Sequence, residues 1–302
     1  MDETTLRTLL DGALAGEPPI GPFPDHALRA GIRLRRLRRV LSVAGGMAVA
    51  AAIAVVIPVV TGPLGAPPAS RQHPATTLPI HGSANVPPPD TRVLRWRALA
   101  RDRASIVKIT GEARTTCNRR IEGSGFVISP QHVLTNGHVV AGMTRLHVGS
   151  GTGSVLPARV VLFDWNTDVA VLYVPGLRAL SLRFAGQAAR GSSAVIAGYP
   201  ENRGFRAVAA RVGSQWSANG PNVYRTSTVT RAIYAVRATV QPGNSGGPLL
   251  AKNGKVYGVI FAASTTSRDT GFALTASQVG PDVRRGARAT TPVSTRGCSP
   301  PG

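Results

Sequence analysis

From Ser105 to about Thr275 the chain is a succession of short β-branched apolar runs, each closed by Gly, Pro, Asn or Ser: SIVKI, GFVIS, VLTN, RLHVG, ARVVLF, VAVLYV, SAVIAGY, AVAARV, AIYAVRATV, VYGVIFA and GFALTA. Side chains of this kind suit a pleated, half-buried surface, and the runs are too short for ordinary helices. No helical pattern alternates with them, so no βαβ alternation supports a parallel sheet. An all-β sandwich or barrel is the expected architecture. No short repeat with a fixed period is present.

The chain before Ser105 has a different character. Residues 1–39 begin with a helix-like stretch, TTLRTLLDGAL, and end in a cluster of Arg29, Arg33, Arg35, Arg36, Arg38 and Arg39. Then 40–60, VLSVAGGMAVAAAIAVVIPVV, carries no charge. At ~1.5 Å per residue such a run spans roughly the ~30 Å hydrocarbon core of a bilayer, which predicts one transmembrane helix. A cleaved signal peptide is the rival. Its apolar stretch is usually about 7 to 15 residues, and here LGA at 64–66 offers a large first residue followed by Pro67. The Arg cluster on the N-terminal side predicts that 1–39 is cytoplasmic and that everything after the helix lies outside. Residues 61–91 are rich in Pro, Ala, Gly and Ser and read as an extended tether. After Asp90, an expected N-cap, Val93, Leu94, Trp96, Leu99 and Ala100 fall at roughly helical spacing, so 92–302 is expected to open with a short amphipathic helix. Another short helix is expected from about Thr275.

The formal charge is +21, from 35 Lys and Arg against 14 Asp and Glu. Most basic residues are Arg scattered singly, and no nucleic-acid-binding motif accompanies them, so nucleic acid is not an expected partner. An anionic envelope polymer or lipid headgroups would complement such a surface. The two cysteines, Cys117 and Cys298, flank the strand-rich region, and alone they say little.

Three segments carry chemistry. In GNSGGP, Gly243 to Pro248, glycines on both sides of Ser245 permit a tight turn that raises a hydroxyl and aims backbone N–H groups at a developing oxyanion. In VLTNGHVV, His138 follows a strand and can serve as general base. In FDWNTDVAVLYV, Asp168 sits at the mouth of a buried strand, where a carboxylate can orient an imidazole. Asp164 competes for that role. The other histidines, at 26, 73, 81, 132 and 147, read as structural.

The order His, Asp, Ser, carried by TNGHVV, TDVAVL and GNSGGP, resembles the chymotrypsin-like (trypsin-fold) serine peptidases, and GSGFVIS at 123–129 resembles their bacterial periplasmic branch. Over 105–302, GYP at 198–200, YAVRATVQPGNSGGPL, VYGVIFAAS and TGFALTASQV resemble the membrane-bound acid-resistance periplasmic serine proteases of actinobacteria. Those proteins have a multi-helix membrane domain, whereas this chain offers one span. The resemblance implies two antiparallel β-barrels with the active site between them, His138 and Asp168 in the first and Ser245 in the second. It implies an oxyanion hole from the N–H groups of Gly243 and Ser245, a specificity pocket with Thr239 at its base and Ala263 and Gly271 on its walls, and an extracytoplasmic protein or peptide substrate. None of the pocket residues is acidic, so a small or apolar side chain is expected there. Asn244 stands where digestive relatives have an acid that pairs with a new N-terminus, which argues against that form of activation. No metal or organic cofactor is implied. Outside the cytoplasm Cys117 and Cys298 would oxidise to a disulfide tying the tail to the first barrel. The rival class is a catalytically silent module that holds a peptide in the cleft.

Overall fold

The computed structural model describes residues 86–113, 119–149 and 153–298. The expected cytoplasmic segment 1–39, the membrane helix 40–60, most of the tether 61–91 and Cys117 lie outside the described residues. No described helix is long and apolar enough to cross a membrane.

Among the described residues twelve strands form two sheets, each closed into a barrel. β1 (Ile106–Ala113), β2 (Arg119–Ser129), β3 (His132–Thr135), β4 (Arg145–Gly149), β5 (Val155–Asp164) and β6 (Val169–Tyr173) run in the order β1-β2-β3-β6-β5-β4, and β4 returns to pair with β1. β7 (Ser193–Gly198), β8 (Arg206–Pro221), β9 (Thr228–Arg237), β10 (Pro248–Leu250), β11 (Val256–Ala263) and β12 (Thr270–Thr275) run β10-β11-β12-β9-β8-β7, closed by β7 on β10. Every pairing within the barrels is antiparallel. Eleven strands coincide with the apolar runs. β10 does not, because three residues are too few to show a period.

The unbroken apolar runs have a physical reason. Strand side chains alternate between faces, and here both faces are buried. In β6, Ala170 and Leu172 join the interior of the first barrel, while Val169 and Val171 join a cluster shared with the second. In β12, Ala273 belongs to the second interior and Phe272 and Leu274 to the shared cluster. Phe126 and Leu134 meet Val195, Leu250 and Val259 in that same layer. The two barrels therefore share a core, and the loops that rim it can carry one site.

The entry to the domain corrects the expected helix. Asp90 caps as predicted, its carboxylate accepting from the Arg92 N–H at 3.0 Å. The helix is broken, with a 3₁₀ segment Thr91–Arg95, an extended Trp96 and then α1 (Arg97–Asp102). The break resets the phase, since a 3₁₀ turn holds ~3.0 residues rather than 3.6. Val93 and Leu99 are buried as expected, but Leu94 is 39% exposed and Ala100 is also exposed, with Ala98 buried instead. One turn of helix, α2 (Gly137–Val140), follows β3. The closing helix α3 (Ala276–Gly286) begins where expected, with the Thr275 hydroxyl accepting from Gln278 N–H at 3.1 Å. It packs on β5 and β6 and on β9, β11 and β12, spanning the barrels.

Candidate active site

The segment TNGH passes from β3 straight into α2, which places His138 one residue into the helical turn. Its neighbour Gly137 leaves room for the carboxylate, since a Cβ there would sit 3.3 Å from Asp168 Oδ1. Asp168 ends the turn between β5 and β6 with φ +63°, a left-handed conformation that Asp tolerates better than most residues. From this position its Oδ1 accepts the His138 backbone N–H at 2.8 Å and its Oδ2 meets His138 Nδ1 at 2.8 Å. The carboxylate is buried and the imidazole nearly so, with side-chain exposures of 8% and 13%. A carboxylate only accepts, so Nδ1 is the protonated nitrogen of a neutral ring and Nε2 is left as the acceptor. Asn136, which the sequence did not single out, donates its Nδ2 to the Asp168 carbonyl at 3.0 Å and fixes the turn from the other side.

Asp164 is committed elsewhere. Its Oδ1 accepts from the Asn166 and Thr167 N–H groups at 2.9 and 3.0 Å, and its Oδ2 takes the Thr167 hydroxyl at 3.0 Å. It shapes the turn that presents Asp168, the carboxylate whose place at the strand mouth the sequence favours over Asp164.

Ser245 lies on a turn whose path requires glycine. Gly243 has φ +90° and Gly246 φ +81°. A Cβ on Gly246 would stand 2.2 Å from the Ser124 carbonyl oxygen and 2.3 Å from Thr135 Oγ1, so this loop presses directly on β2 and on β3, the strand that leads into the His138 turn. Gly123 is the third point of closure, since a Cβ there would meet Val139 Cγ1 of α2 at 2.7 Å and the Ser245 carbonyl oxygen at 3.4 Å. Backbone bonds fix the turn: Asn244 N–H to Gln241 O at 3.0 Å, Gly246 N–H to Ile260 O at 2.8 Å and Gly247 N–H to Asn244 O at 2.9 Å. Asn244 is buried, which a neutral amide bears at lower cost than a carboxylate.

The expected pocket residues are partly gathered. Ala263 and Gly271 stand opposite one another across β11 and β12, while Thr239 is exposed in the segment after β9, next to Ala238, whose N–H bonds Asp269 O at 2.8 Å. Val240 was not expected here. A Cβ on Gly271 would lie 2.3 Å from Val240 Cγ2, so the glycine makes room for that isopropyl group. Of the cysteines, Cys298 runs beside Gly142, and no free cysteine is found among the described residues. No cluster of side chains able to hold a metal is found among the described residues.

A second barrel also reaches the His138 and Asp168 region. Arg231, on β9, is buried and donates Nε to the Asn166 carbonyl at 2.7 Å and Nη2 to the Pro221 carbonyl at 3.0 Å. Burial pulls its pKa down, and the charges of Asp168 and then Asp164 pull it up. A lone Arg inside an apolar strand run gave no local signal of this contact.

Two closed antiparallel barrels, a His–Asp pair on the first and a glycine-bounded serine turn on the second, define a protein of the chymotrypsin-like class. A family model described as a trypsin-like peptidase domain matches residues 123–259, and the chain belongs to the trypsin-like peptidases. It is 40% identical over 229 residues to the serine protease Rv3671c of Mycobacterium tuberculosis, covering 74% of this chain and 57% of that one. The chain thus spans little more than half the length of that curated relative. It is also 36% identical over 159 residues to the putative serine protease HhoB of Synechocystis, covering 50% of this chain and 37% of that protein. The crystal structure of the Rv3671c protease in its active form superposes with a TM-score of 0.69 at 37% identity, over 82% of this chain and 100% of that one.

Proposed function

We propose that the chain is a serine endopeptidase in which Ser245 is the nucleophile, His138 the general base and Asp168 the group that orients it. The observation that carries this reading is the double engagement of Asp168 with one histidine, through Nδ1 and through the backbone N–H. It fixes the ring and its tautomer together. Nε2 is then the acceptor for the Ser245 proton as the oxygen attacks a peptide carbonyl. The N–H groups of Gly243 and Ser245 receive the negative charge, His138 returns the proton to the leaving amine, and water releases the acyl group by the same steps in reverse roles. Ala263, Gly271 and Thr239 would receive a small or apolar side chain.

The location follows from the sequence outside the described residues. Residues 40–60 anchor the chain in a membrane, 61–91 tether the peptidase, and the substrates are proteins or peptides on the outer side. Likeness to Rv3671c and to proteins named as probable periplasmic serine endoproteases, 34% identical over 160 residues in one case, supports this placement. A part in the envelope response to stress or acid is consistent with it. An anionic wall polymer or lipid headgroup would meet the basic surface.

A fluorophosphonate probe tests the chemistry directly. The full chain should be labelled on Ser245, and Ser245→Ala should lose both the label and about 10⁶-fold in turnover, because the three groups act as a unit. Label on another residue, or normal hydrolysis by Ser245→Ala, would refute the assignment. A silent binding module would take no label at all.

A further inference from the structure

Ser124 lies in β2 of the first barrel, is fully buried, and has every polar atom hydrogen-bonded. Its N–H donates to the Ser245 carbonyl at 2.8 Å, and its own carbonyl accepts the Thr135 hydroxyl at 2.8 Å. Its hydroxyl accepts the Tyr199 N–H at 2.9 Å and donates to the Gly243 carbonyl at 2.5 Å. Tyr199, Gly243 and Ser245 all belong to the second barrel. One residue of the first barrel therefore holds the carbonyls on both sides of Asn244.

The consequence concerns peptide planes. The carbonyl of Gly243 and the N–H of Asn244 share one plane, held at one end by Ser124 Oγ and at the other by Gln241 O. The carbonyl of Ser245 and the N–H of Gly246 share another, held by Ser124 N–H and Ile260 O. Between them, the carbonyl of Asn244 is turned toward Gly247 N–H, which directs the Ser245 N–H to the opposite side. Gly243, at φ +90°, is the joint about which the first plane could turn, since glycine has no Cβ to resist it. Without the Ser124 hydroxyl, the Gly243 carbonyl would be a buried acceptor lacking its partner, a costly condition that rotation of the plane relieves. The surroundings are cut to fit this hydroxyl. A Cβ on Gly198 would stand 2.4 Å from Ser124 Oγ, and one on Gly247 3.3 Å from Ser124 Cβ.

We infer that Ser124 is a positioning residue for the oxyanion hole: its hydroxyl, bridging Tyr199 N–H and Gly243 C=O across the barrel boundary, fixes the Gly243–Asn244 plane that links the planes carrying the Gly243 and Ser245 N–H groups, and so keeps both donors aimed at the reacting carbonyl. This rests on the reading of Ser245 as nucleophile. Both Ser124→Ala and Ser124→Cys keep the backbone bond to Ser245; the first removes the hydroxyl and the second replaces it with a weaker donor of similar shape.

The test uses the full chain, a fluorogenic peptide with alanine before the scissile bond, a tripeptide ending in alanine boronic acid, and the same tripeptide as its amide. The boronate forms a tetrahedral adduct that needs the oxyanion donors, and the amide does not. Ser124→Ala should lower kcat about 10- to 100-fold, below the ~10²–10³ cost of deleting a donor outright. Boronate affinity should fall by a similar factor, with KM and amide affinity within about twofold of wild type. Ser124→Cys should fall between the two. Boronate and amide affinities that fall together, or a boronate affinity unchanged in whichever variant folds, would overturn the proposal. Wild-type protein that fluorophosphonate does not label at Ser245 would refute the nucleophile assignment itself, a result distinct from either.

Discussion

Arg231 donates its Nε proton to the backbone carbonyl of Asn166 at 2.7 Å, so a guanidinium rooted in the second barrel grips the turn that presents Asp168 from the first. The second bond, to the Pro221 carbonyl, fixes the guanidinium plane. Its charge also lies in the field of Asp168 and Asp164. Arg231→Met is expected to lose about 2–4 kcal/mol in urea unfolding, since buried carbonyls are left without donors and the bonds lost are charge-assisted. Turnover should fall with it, by roughly tenfold. Arg231→Lys should recover little of either, because an ammonium cannot serve two carbonyls with a fixed fork.

Asp168 and Asp164 differ by four positions and have separate duties. Asp168→Asn is expected to reduce kcat/KM by roughly 10⁴-fold, through the wrong tautomer of His138 rather than through unfolding. Asn tolerates the left-handed backbone at this site, so the loss reads the chemistry. Asp164→Asn keeps an oxygen for the turn N–H groups and gives up part of the bond to the Thr167 hydroxyl. Its kcat/KM should stay within about tenfold of wild type, given that neutral hydrogen bonds are worth about 1 kcal/mol. Equal losses in the two variants would contradict this division.

What was legible in the sequence was what chemistry imposes locally. The glycines of GNSGGP betray a turn with positive φ, and TDVAVL a carboxylate at a strand mouth, because both constraints act within a few residues. The strand runs of β1 to β9, β11 and β12 show for the same reason. Ser124 and Arg231 act through contacts between barrels; GSGFVIS marks the strand of Ser124 as a family motif, but no local pattern gives either residue its role. Leu94 was misplaced because Trp96 breaks the helix, and a hydrophobic pattern carries no sign of a change from 3.6 to about 3.0 residues per turn. β10 was missed for its length, although Leu249 and Leu250 are fully buried.

Gly246 and Gly153 both have positive φ, at +81° and +85°, yet their surroundings are opposite. Gly153 has nothing within 4 Å of where a Cβ would be, whereas Gly246 faces a backbone oxygen at 2.2 Å. Gly153→Ala should cost only the left-handed backbone strain, about 1–2 kcal/mol in chemical denaturation. Gly246→Ala adds overpacking that backbone cannot relieve, so more than about 3 kcal/mol and loss of fluorophosphonate labelling are expected. Comparable stabilities for the two variants would mean that the turn relaxes freely.

Asp282, on α3, gives a dependence on pH. Burial raises its pKa, opposed by the bond from Arg285, with Asp164 raising it further. A carboxyl raised in the folded state binds its proton more tightly there than in the unfolded chain. Its ionisation therefore weakens folding above the raised pKa, and the penalty disappears as pH falls through that value and below the ordinary carboxylate range. Asp282→Asn, neutral throughout, should accordingly be more stable relative to wild type at pH 7 than at pH 3. Urea unfolding across that range reads the difference, and an advantage that grows in acid would contradict the sign.

The C-terminal tail is held against the segment that leaves the His138 helix. Gly142 N–H donates to Thr295 Oγ1 at 3.2 Å, Tyr224 donates its hydroxyl to the Thr295 carbonyl, and a Cβ on Gly142 would lie 2.9 Å from Cys298 Cα. A bond between Cys298 and Cys117 would make this docking permanent and close a loop of nearly the whole domain. For a loop of that size the chain-entropy model gives about 5 kcal/mol, an upper figure because real bridges often deliver less. Protein isolated from the cell envelope under alkylating, non-reducing conditions should therefore show no free thiol. Reduction, or Cys298→Ser, should lower the urea midpoint without changing which residue the fluorophosphonate labels. Two alkylated cysteines in such protein, or a midpoint insensitive to reduction, would show that the tail is held without a disulfide.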